Sequence, residues 1–147
     1  MSAADALARF RFRYPIDVRF RDLDALGHVN NAVYLTYLES ARIAWWMHVT
    51  ARHDLAALDM ILARVELDYR SPVGYGESLE VGVRCASVRR SSLSVESVIS
   101  ARGDGRVVAE SRKVLVHYDY AAPRSRPLPE DLRQKLLAQD PDLAIEV

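Results

Sequence analysis

An α+β domain is the fold class this sequence predicts, with a five-stranded antiparallel sheet wrapped around one long central helix. Three observations carry the expectation. From Asn31 the chain runs "NAVYLTYLESARIAWWMHVTARH" without Gly or Pro, and apolar residues occupy nearly every side of that run. One segment of alternating polarity precedes it and four strand-like segments follow it. A helix that is apolar nearly all round is buried on most sides, and a sheet curled around it supplies that burial.

Each element has its own signature. In "YPIDVRFRD", Ile16, Val18 and Phe20 fall on one face and Asp17, Arg19 and Arg21 on the other, the period-two pattern of a half-buried strand. Gly27 then breaks the pattern. In the long run, Tyr34, Tyr37, Leu38, Ala41, Trp45 and His48 recur at helical spacing, while Leu35, Ile43, Ala44, Trp46 and Met47 fill much of the rest. "LARVELDY" sets Ala63, Val65, Leu67 and Tyr69 against Arg64, Glu66 and Asp68, and "SPVGYGE" follows as a loop. "SLEVGVRCASV" gathers Leu79, Val81, Val83 and Cys85 on one face, and "SSLSVESVIS" gathers Leu93, Val95 and Ile99. "RGDG" marks a hairpin, and "RVVAESRKVLVHYDY" closes the set. From Ala121 to Pro129 the chain reads as loop. "PEDLRQKLLAQ" opens with Pro and two acids, as a helix start prefers.

Bulk composition narrows the function classes. The 147 residues suit one domain, 1–147. Half of them are hydrophobic and 27% are charged, as in a soluble protein with a real core. Lys plus Arg and Asp plus Glu both number 20, so there is no global basic field and no nucleic-acid partner is expected. Near-zero net charge does little to keep copies apart, so self-association is expected. Cys85 is the only cysteine, which excludes an internal disulfide. His28, His48, His53 and His117 show no ligand spacing, so no metal site is expected. "MSAADALARF" has an early acid and no apolar core of signal length, and no run approaches the ~20 apolar residues of a membrane span. A cytoplasmic location with no membrane partner is the expectation.

The densest polar cluster is "RFRDLDALGHVNN", between the first strand and the helix. One reading is architectural: Asp24 starts a turn, His28 pairs with backbone, and Asn30 or Asn31 caps the helix. Gly27 is expected at positive φ, and Asp22 in a salt bridge or turn contact. The other reading is chemical, and a family likeness bears on it. The strand, the motif D-x-D-x-x-G-H-V-N-N, the long helix, "ELDYRSPVGYGESLEV" and the paired strands resemble the hotdog-fold acyl-CoA thioesterases, in particular the 4-hydroxybenzoyl-CoA thioesterase type. The resemblance spans roughly residues 14–118, leaving 119–147 as a C-terminal loop and short helix. Its first motif is fairly specific, because residue type, spacing and position before the helix all agree.

The resemblance implies hydrolysis of a thioester to a free acid and coenzyme A, with CoA part of the substrate and no separate cofactor. A carboxylate can serve as general base on water or attack the acyl carbon directly, and the family's catalytic aspartate matches Asp24. A helix N-terminus offers unpaired N–H groups and the positive end of a dipole, and the family's carbonyl-polarising amide matches the Asn31 N–H. His28 is a supporting residue that steers water or the thiolate, although the benzoyl-CoA branch often carries an apolar residue there. Glu39 matches a carboxylate that contacts the substrate's aryl hydroxyl, with Glu here in place of Asp; its plainer reading is an ion pair with Arg42. Arg89 and Arg90 can clamp CoA phosphates with Ser91 donating, or simply keep a hairpin tip soluble.

Assembly is expected as well. A curved sheet leaves one edge strand and one helix flank open, and a second copy about a two-fold axis covers both. The resemblance then implies a pocket between subunits, with Asp24 of one chain facing strand residues near Val65 of the other. Arg64, Glu66, Asp68 and Arg84 on the outer face can join dimers into a homotetramer. Three other functions keep the same architecture: an enoyl-CoA hydratase, an acyl carrier protein thioesterase, and a non-catalytic acyl-CoA-binding protein.

Overall fold

The computed structural model of the chain describes residues 6–54, 56 and 58–146. Strand β1 (Phe12–Asp17) forms one edge of the main sheet and β2 (Met60–Tyr69) the other. Between them lie β3 (Ser78–Val88), β4 (Ser92–Ala101) and β5 (Val107–Asp119), in the order β1-β3-β4-β5-β2 and antiparallel throughout. Helix α1 (Val33–Thr50) packs on the inner face. Two short strands, β6 (Arg124–Ser125) and β7 (Ala144–Ile145), flank helix α2 (Glu130–Gln139). This is the helix-in-sheet arrangement of the hotdog fold.

Alternation in the sequence decides which face each strand buries. Leu79, Val81, Val83 and Cys85 of β3 are fully buried against the helix, as are Leu93, Val95 and Ile99 of β4. Tyr34, Tyr37, Leu38, Ala41, Trp45, Trp46 and Val49 answer them from α1. Part of the outer face is covered too. Ala6, Leu7 and Phe10 pack on Val98 and Val107, and the Phe10 ring lies so close to β3 that a Cβ on Gly82 would stand 2.5 Å from it. Only glycine allows that approach.

The two sheet edges are treated differently. β1 shields β3 from Ser78 to Val83. Beyond it, the buried Asp140 carboxylate accepts the Cys85 N–H at 2.9 Å, and β7 pairs in parallel with Ser87 and Val88. The stretch of β3 that β1 leaves free is therefore covered, while β1 itself pairs only with β3 among the described residues. β2 pairs only with β5 among the described residues, and Ile61, Leu62, Val65 and Tyr69 on it are exposed.

Three details depart from the sequence reading. The first strand ends at Asp17; Val18 is still buried, as the alternation predicts, but Phe20 is 76% exposed. The Asp22 carboxylate accepts the Arg19 N–H at 2.9 Å and turns Phe20–Asp22 into a 3-10 turn, so a side chain takes the donor that a longer strand would have used. Helix α1 begins at Val33, two residues past Asn31, and ends at Ala51 with φ 55°. Its burial is one-sided: Leu35, Thr36, Glu39 and Ser40 are exposed, because one sheet cannot reach round the whole helix. Among the described residues, no helix is long and apolar enough to cross a membrane.

Candidate active site

The loop from Leu23 to Val29 is a small hairpin built by its own residues. Leu23 and Val29 face each other in an antiparallel bridge. The Asp24 N–H donates to His28 O at 2.9 Å, and the Gly27 N–H returns to Asp24 O at 3.1 Å. Gly27 sits at φ 81°, a left-handed position that closes a three-residue hairpin loop. The Asp24 Oδ1 accepts the Leu26 N–H at 2.9 Å, which aims the half-buried carboxylate and leaves its second oxygen without a partner in the loop. The hairpin is fastened at its far side, where Val29 N–H donates to Val73 O at 2.8 Å and His28 bridges Gly74.

Asparagine side-chain and backbone geometry set the next turn. Asn30 N–H donates to Asp22 O, Val33 N–H to Asn30 O, and Ala32 N–H to the Asn30 Oδ1, each at 2.9 Å. Asn30 thus holds the helix entry, which satisfies two of its early donors. Asn31 is pinned differently: its carbonyl accepts the Tyr69 hydroxyl at 2.8 Å. The Asn31 N–H makes no hydrogen bond to any described residue. It sits just before the positive end of α1.

Beneath this turn lies the buried Asp22. It accepts the Tyr37 hydroxyl at 2.6 Å and the Arg19 guanidinium at 3.0 Å, besides the Arg19 N–H. Burial alone would raise its carboxyl pKa, but the Tyr37 hydroxyl and the Arg19 donors outweigh burial and hold it below the ordinary value. The same contact works on Tyr37, whose burial and hydrogen bond to Asp22 push its hydroxyl well above the ordinary value. Asp22 is therefore held as an anion at neutral pH, accepting from the Tyr37 hydroxyl and the Arg19 donors. It is the salt bridge and turn contact the sequence implied.

Asp24, His28 and Asn31 line one open cleft of about 320 Å³ with Val29, Tyr34 and Tyr69. The Tyr34 and Tyr69 rings meet edge to face at 5.2 Å. Together they wall the side of the cleft toward β2. The His28 backbone builds the hairpin, and its exposed imidazole makes no hydrogen bond to a described residue. Glu39 and Val65 lie outside this cleft, further along the open flank between α1 and β2. No Glu39–Arg42 ion pair within 4.0 Å forms among the described residues, so the simple i,i+3 bridge is absent.

The hairpin carrying Arg89, Arg90 and Ser91 is not brought to this cleft within one chain. Asp17 pairs with Ser78 at the start of β3, whereas Arg89 follows its end. The strand between spans roughly 33 Å at the usual rise. There Arg89 is ion-paired with Glu146 at 2.7 Å, and the carbonyls of Arg89 and Arg90 accept the Arg133 guanidinium from α2. Ser91 accepts the His117 N–H on its carbonyl. Sequence reasoning also missed Tyr69 as a site residue. Its inward register in "LARVELDY" was visible, but its hydroxyl contact across 38 residues was not. Among the described residues, no group of three or more His, Cys, Asp or Glu side chains comes together as a metal site would.

Comparison with known proteins extends these observations. Residues 18–136 match the model of the Thioesterase-like superfamily. The long-chain acyl-CoA thioesterase FadM of Escherichia coli is 30% identical over 131 residues, covering 82% of this chain and 93% of FadM. The E. coli acyl-CoA thioester hydrolase YbgC is 24% identical, over 82% of this chain and 92% of its own. A Thermus thermophilus thioesterase crystallised with coenzyme A and zinc is 40% identical, with a TM-score of 0.80 over 90% of this chain and 96% of that one. With that match spanning both the cleft and the sheet that frames it, the chain belongs to the Thioesterase-like superfamily.

Proposed function

We propose that this protein hydrolyses acyl-CoA thioesters at the cleft between the Asp24 hairpin and the start of α1. The observation that carries the reading is one cleft holding an aimed, half-buried carboxylate and a backbone N–H with no acceptor among the described residues. Family membership and relatives that act on acyl-CoA support the substrate class. In this mechanism the thioester oxygen rests on the Asn31 N–H. Asp24 draws a proton from water as the water oxygen bonds to the acyl carbon, and the carbonyl electrons move onto the oxygen held by Asn31. Collapse reforms the carbonyl and breaks the carbon–sulfur bond, and the thiolate recovers the proton from Asp24. Direct attack by Asp24 gives a mixed anhydride instead, which water then opens. His28 stands at the mouth of the cleft, where it can steer the thiolate.

A second copy completes the site in this proposal. The uncovered β2 edge and the exposed α1 flank give it a place to dock. A two-fold axis reverses β2 against its twin, which carries the partner subunit's Arg89, Arg90 and Ser91 hairpin toward this chain's Tyr69 end. Strands spaced about 4.8 Å apart set that hairpin roughly 15 Å across the joined sheet, within reach of an extended CoA. Glu39 and Val65 then line the acyl channel. The outer charges Arg64, Glu66, Asp68 and Arg84 are the contacts for pairing dimers.

The test is a panel of aliphatic and aromatic acyl-CoA thioesters with free-thiol release followed by a chromogenic reagent, alongside light scattering at micromolar protein. Thiol release by a dimer or its multiple is expected. Binding without release would leave a non-catalytic acyl-CoA binder, loss of enoyl-CoA without thiol a hydratase, and release only from acyl carrier protein a different carrier. A fully active monomer would defeat the shared site. Changing Arg89 and Arg90 together to Ala is expected to raise KM for acyl-CoA more than it lowers kcat, because the phosphates lie far from the reacting carbon. The effect should vanish with a truncated pantetheine thioester. Equal losses on both substrates would assign the pair to holding the C-terminal segment through the Arg89–Glu146 ion pair.

A further inference from the structure

The inner face of a sheet beneath a buried helix is ordinarily hydrocarbon, and here one patch of it is not. Register places Lys113 between Val65 and Val95, and one row along places Ser111 between Leu67 and Ser97. Lys113, Ser111 and Ser97 are 3%, 7% and 2% exposed. The Lys113 Nζ and both Oγ atoms have no hydrogen-bond partner among the described residues, and neither do the Nε of Arg42 and the Nε1 of Trp45 on α1. Every one of these atoms can donate, and the arginine and tryptophan nitrogens can only donate, as is true of the lysine nitrogen while it is an ammonium. The charges acting on Lys113 come from α1: Arg42 against it and Glu39 in its favour. Burial and the Arg42 charge drive its pKa down to about 7, with Glu39 opposing. An unpaired buried ammonium is costly. A wholly hydrocarbon acyl tail would leave all these donors unanswered.

We propose that the unpartnered donors between α1 and β5 at Lys113 receive a carboxylate carried on the far end of the acyl group, with Lys113, Arg42 and Ser111 making the contacts. This specificity rests on the thioesterase reading for the delivery of the acyl group. Position supports it. The Tyr69 hydroxyl on Asn31 O ties the end of β2 to the start of α1. From Tyr69 back to Val65 the strand covers roughly 13 Å, and from Val33, just past Asn31, to Glu39 the helix covers about 9 Å. Lys113 stands beside Val65 at that depth. The flank leading there is lined by the exposed Leu35, Glu39 and Val65. An extended chain advances about 1.2 Å per bond, and the lysine stem shortens the gap, so an acyl chain of about eight carbons brings a terminal carboxylate to the ammonium. Charge-assisted bonds from two cations would then answer the buried donors.

The test compares two non-hydrolysable S-alkyl coenzyme A thioethers of that length, one ending in a methyl group and one in a carboxylate, by calorimetry on the full chain. The carboxylate-ended ligand is expected to bind about tenfold tighter or better, and Lys113→Met to abolish that preference while sparing the methyl-ended ligand. Equal affinities, or tighter binding of the methyl-ended chain, in the unaltered protein overturn the proposal, as does a preference that survives in Lys113→Met. A carboxylate from a second copy occupying the same donors would produce the first of these overturning results. The comparison within the unaltered protein needs no variant to fold. The matching thioesters separate the two readings. Thiol release from both with no preference removes the carboxylate site alone, and a clear binding preference with no thiol release removes hydrolysis alone.

Discussion

Replacing Asp24 with Asn is expected to lower kcat for acyl-CoA hydrolysis by roughly 10²–10⁴-fold, with the folded structure intact. The substitution is chosen because it preserves what Asp24 does for the loop. An amide oxygen still accepts the Leu26 N–H now held at 2.9 Å by Oδ1, and the backbone bonds to His28 and Gly27 are untouched. What is lost is the negative oxygen that takes a proton from water or attacks the acyl carbon. Activity and unfolding therefore separate: kcat falls and the thermal midpoint stays within about 2 °C, since a surface change away from a core or cap costs little. Near-native turnover in Asp24→Asn would remove the residue from the mechanism. A variant that unfolds early would show that the turn, rather than the charge, had been the residue's main role. Label found in the Asp24 carboxylate after a single turnover in isotopically labelled water would establish direct attack, because it enters only when water opens a mixed anhydride at the Asp24 carbonyl.

The parts of this molecule that were readable in advance are those decided by neighbours in sequence. Leu79, Val81, Val83 and Cys85 are all buried because every second residue of a strand shares a face. Gly27 takes its positive φ because three residues must turn the chain there. The errors arise where distant residues compete. Alternation ran on past Asp17 in the sequence, but the Asp22 side chain captured the Arg19 N–H and left Phe20 in solvent. Helical periodicity could not tell which flank of α1 one sheet leaves open, so Glu39 is exposed along with Leu35, Thr36 and Ser40 while the adjacent Leu38 is buried. Composition gave Arg89 and Arg90 as a basic pair without fixing which end of β3 carried them relative to Asp24. Lys113 was legible and passed over: it stands two residues before Leu115, in the inward register of β5.

Asp22 is expected to dominate the stability of the site although it takes no part in the chemistry. Replacing it with Ala should cost about 1–3 kcal/mol, the usual loss when a buried donor is left without its acceptor, because the Arg19 guanidinium left behind is more than half exposed and keeps its hydration. The cause is what stays behind. The Tyr37 hydroxyl, 2.6 Å from the carboxylate, and the Arg19 N–H, 2.9 Å from it, would both lose their acceptor; the Tyr37 hydroxyl is the buried one and carries most of the cost, while water can reach the exposed Arg19. The pH dependence follows from the direction of the Asp22 shift. Its folded pKa lies below the ordinary value, so the folded state binds the proton less readily than the unfolded chain. The stabilisation is complete above the unfolded carboxylate pKa of about 3.9. It is lost as pH falls through the lower folded value. Urea unfolding of the unaltered protein and Asp22→Asn, at one fixed protein concentration, should therefore show a constant gap from pH 7 to about pH 5 that narrows below about pH 4. Activity should follow as well. The Asp22 carbonyl holds Asn30 N–H, and Asn30 in turn sets the entry to α1, so loosening this turn moves the Asn31 N–H away from the thioester oxygen. A displacement near 1 Å costs up to about 10²-fold, so Asp22→Ala should lose kcat even at temperatures where it remains folded. A variant as stable as the unaltered protein at pH 7 would mean that the Tyr37 hydroxyl and the Arg19 N–H find other acceptors, and Asp22 would no longer be the anchor of the site.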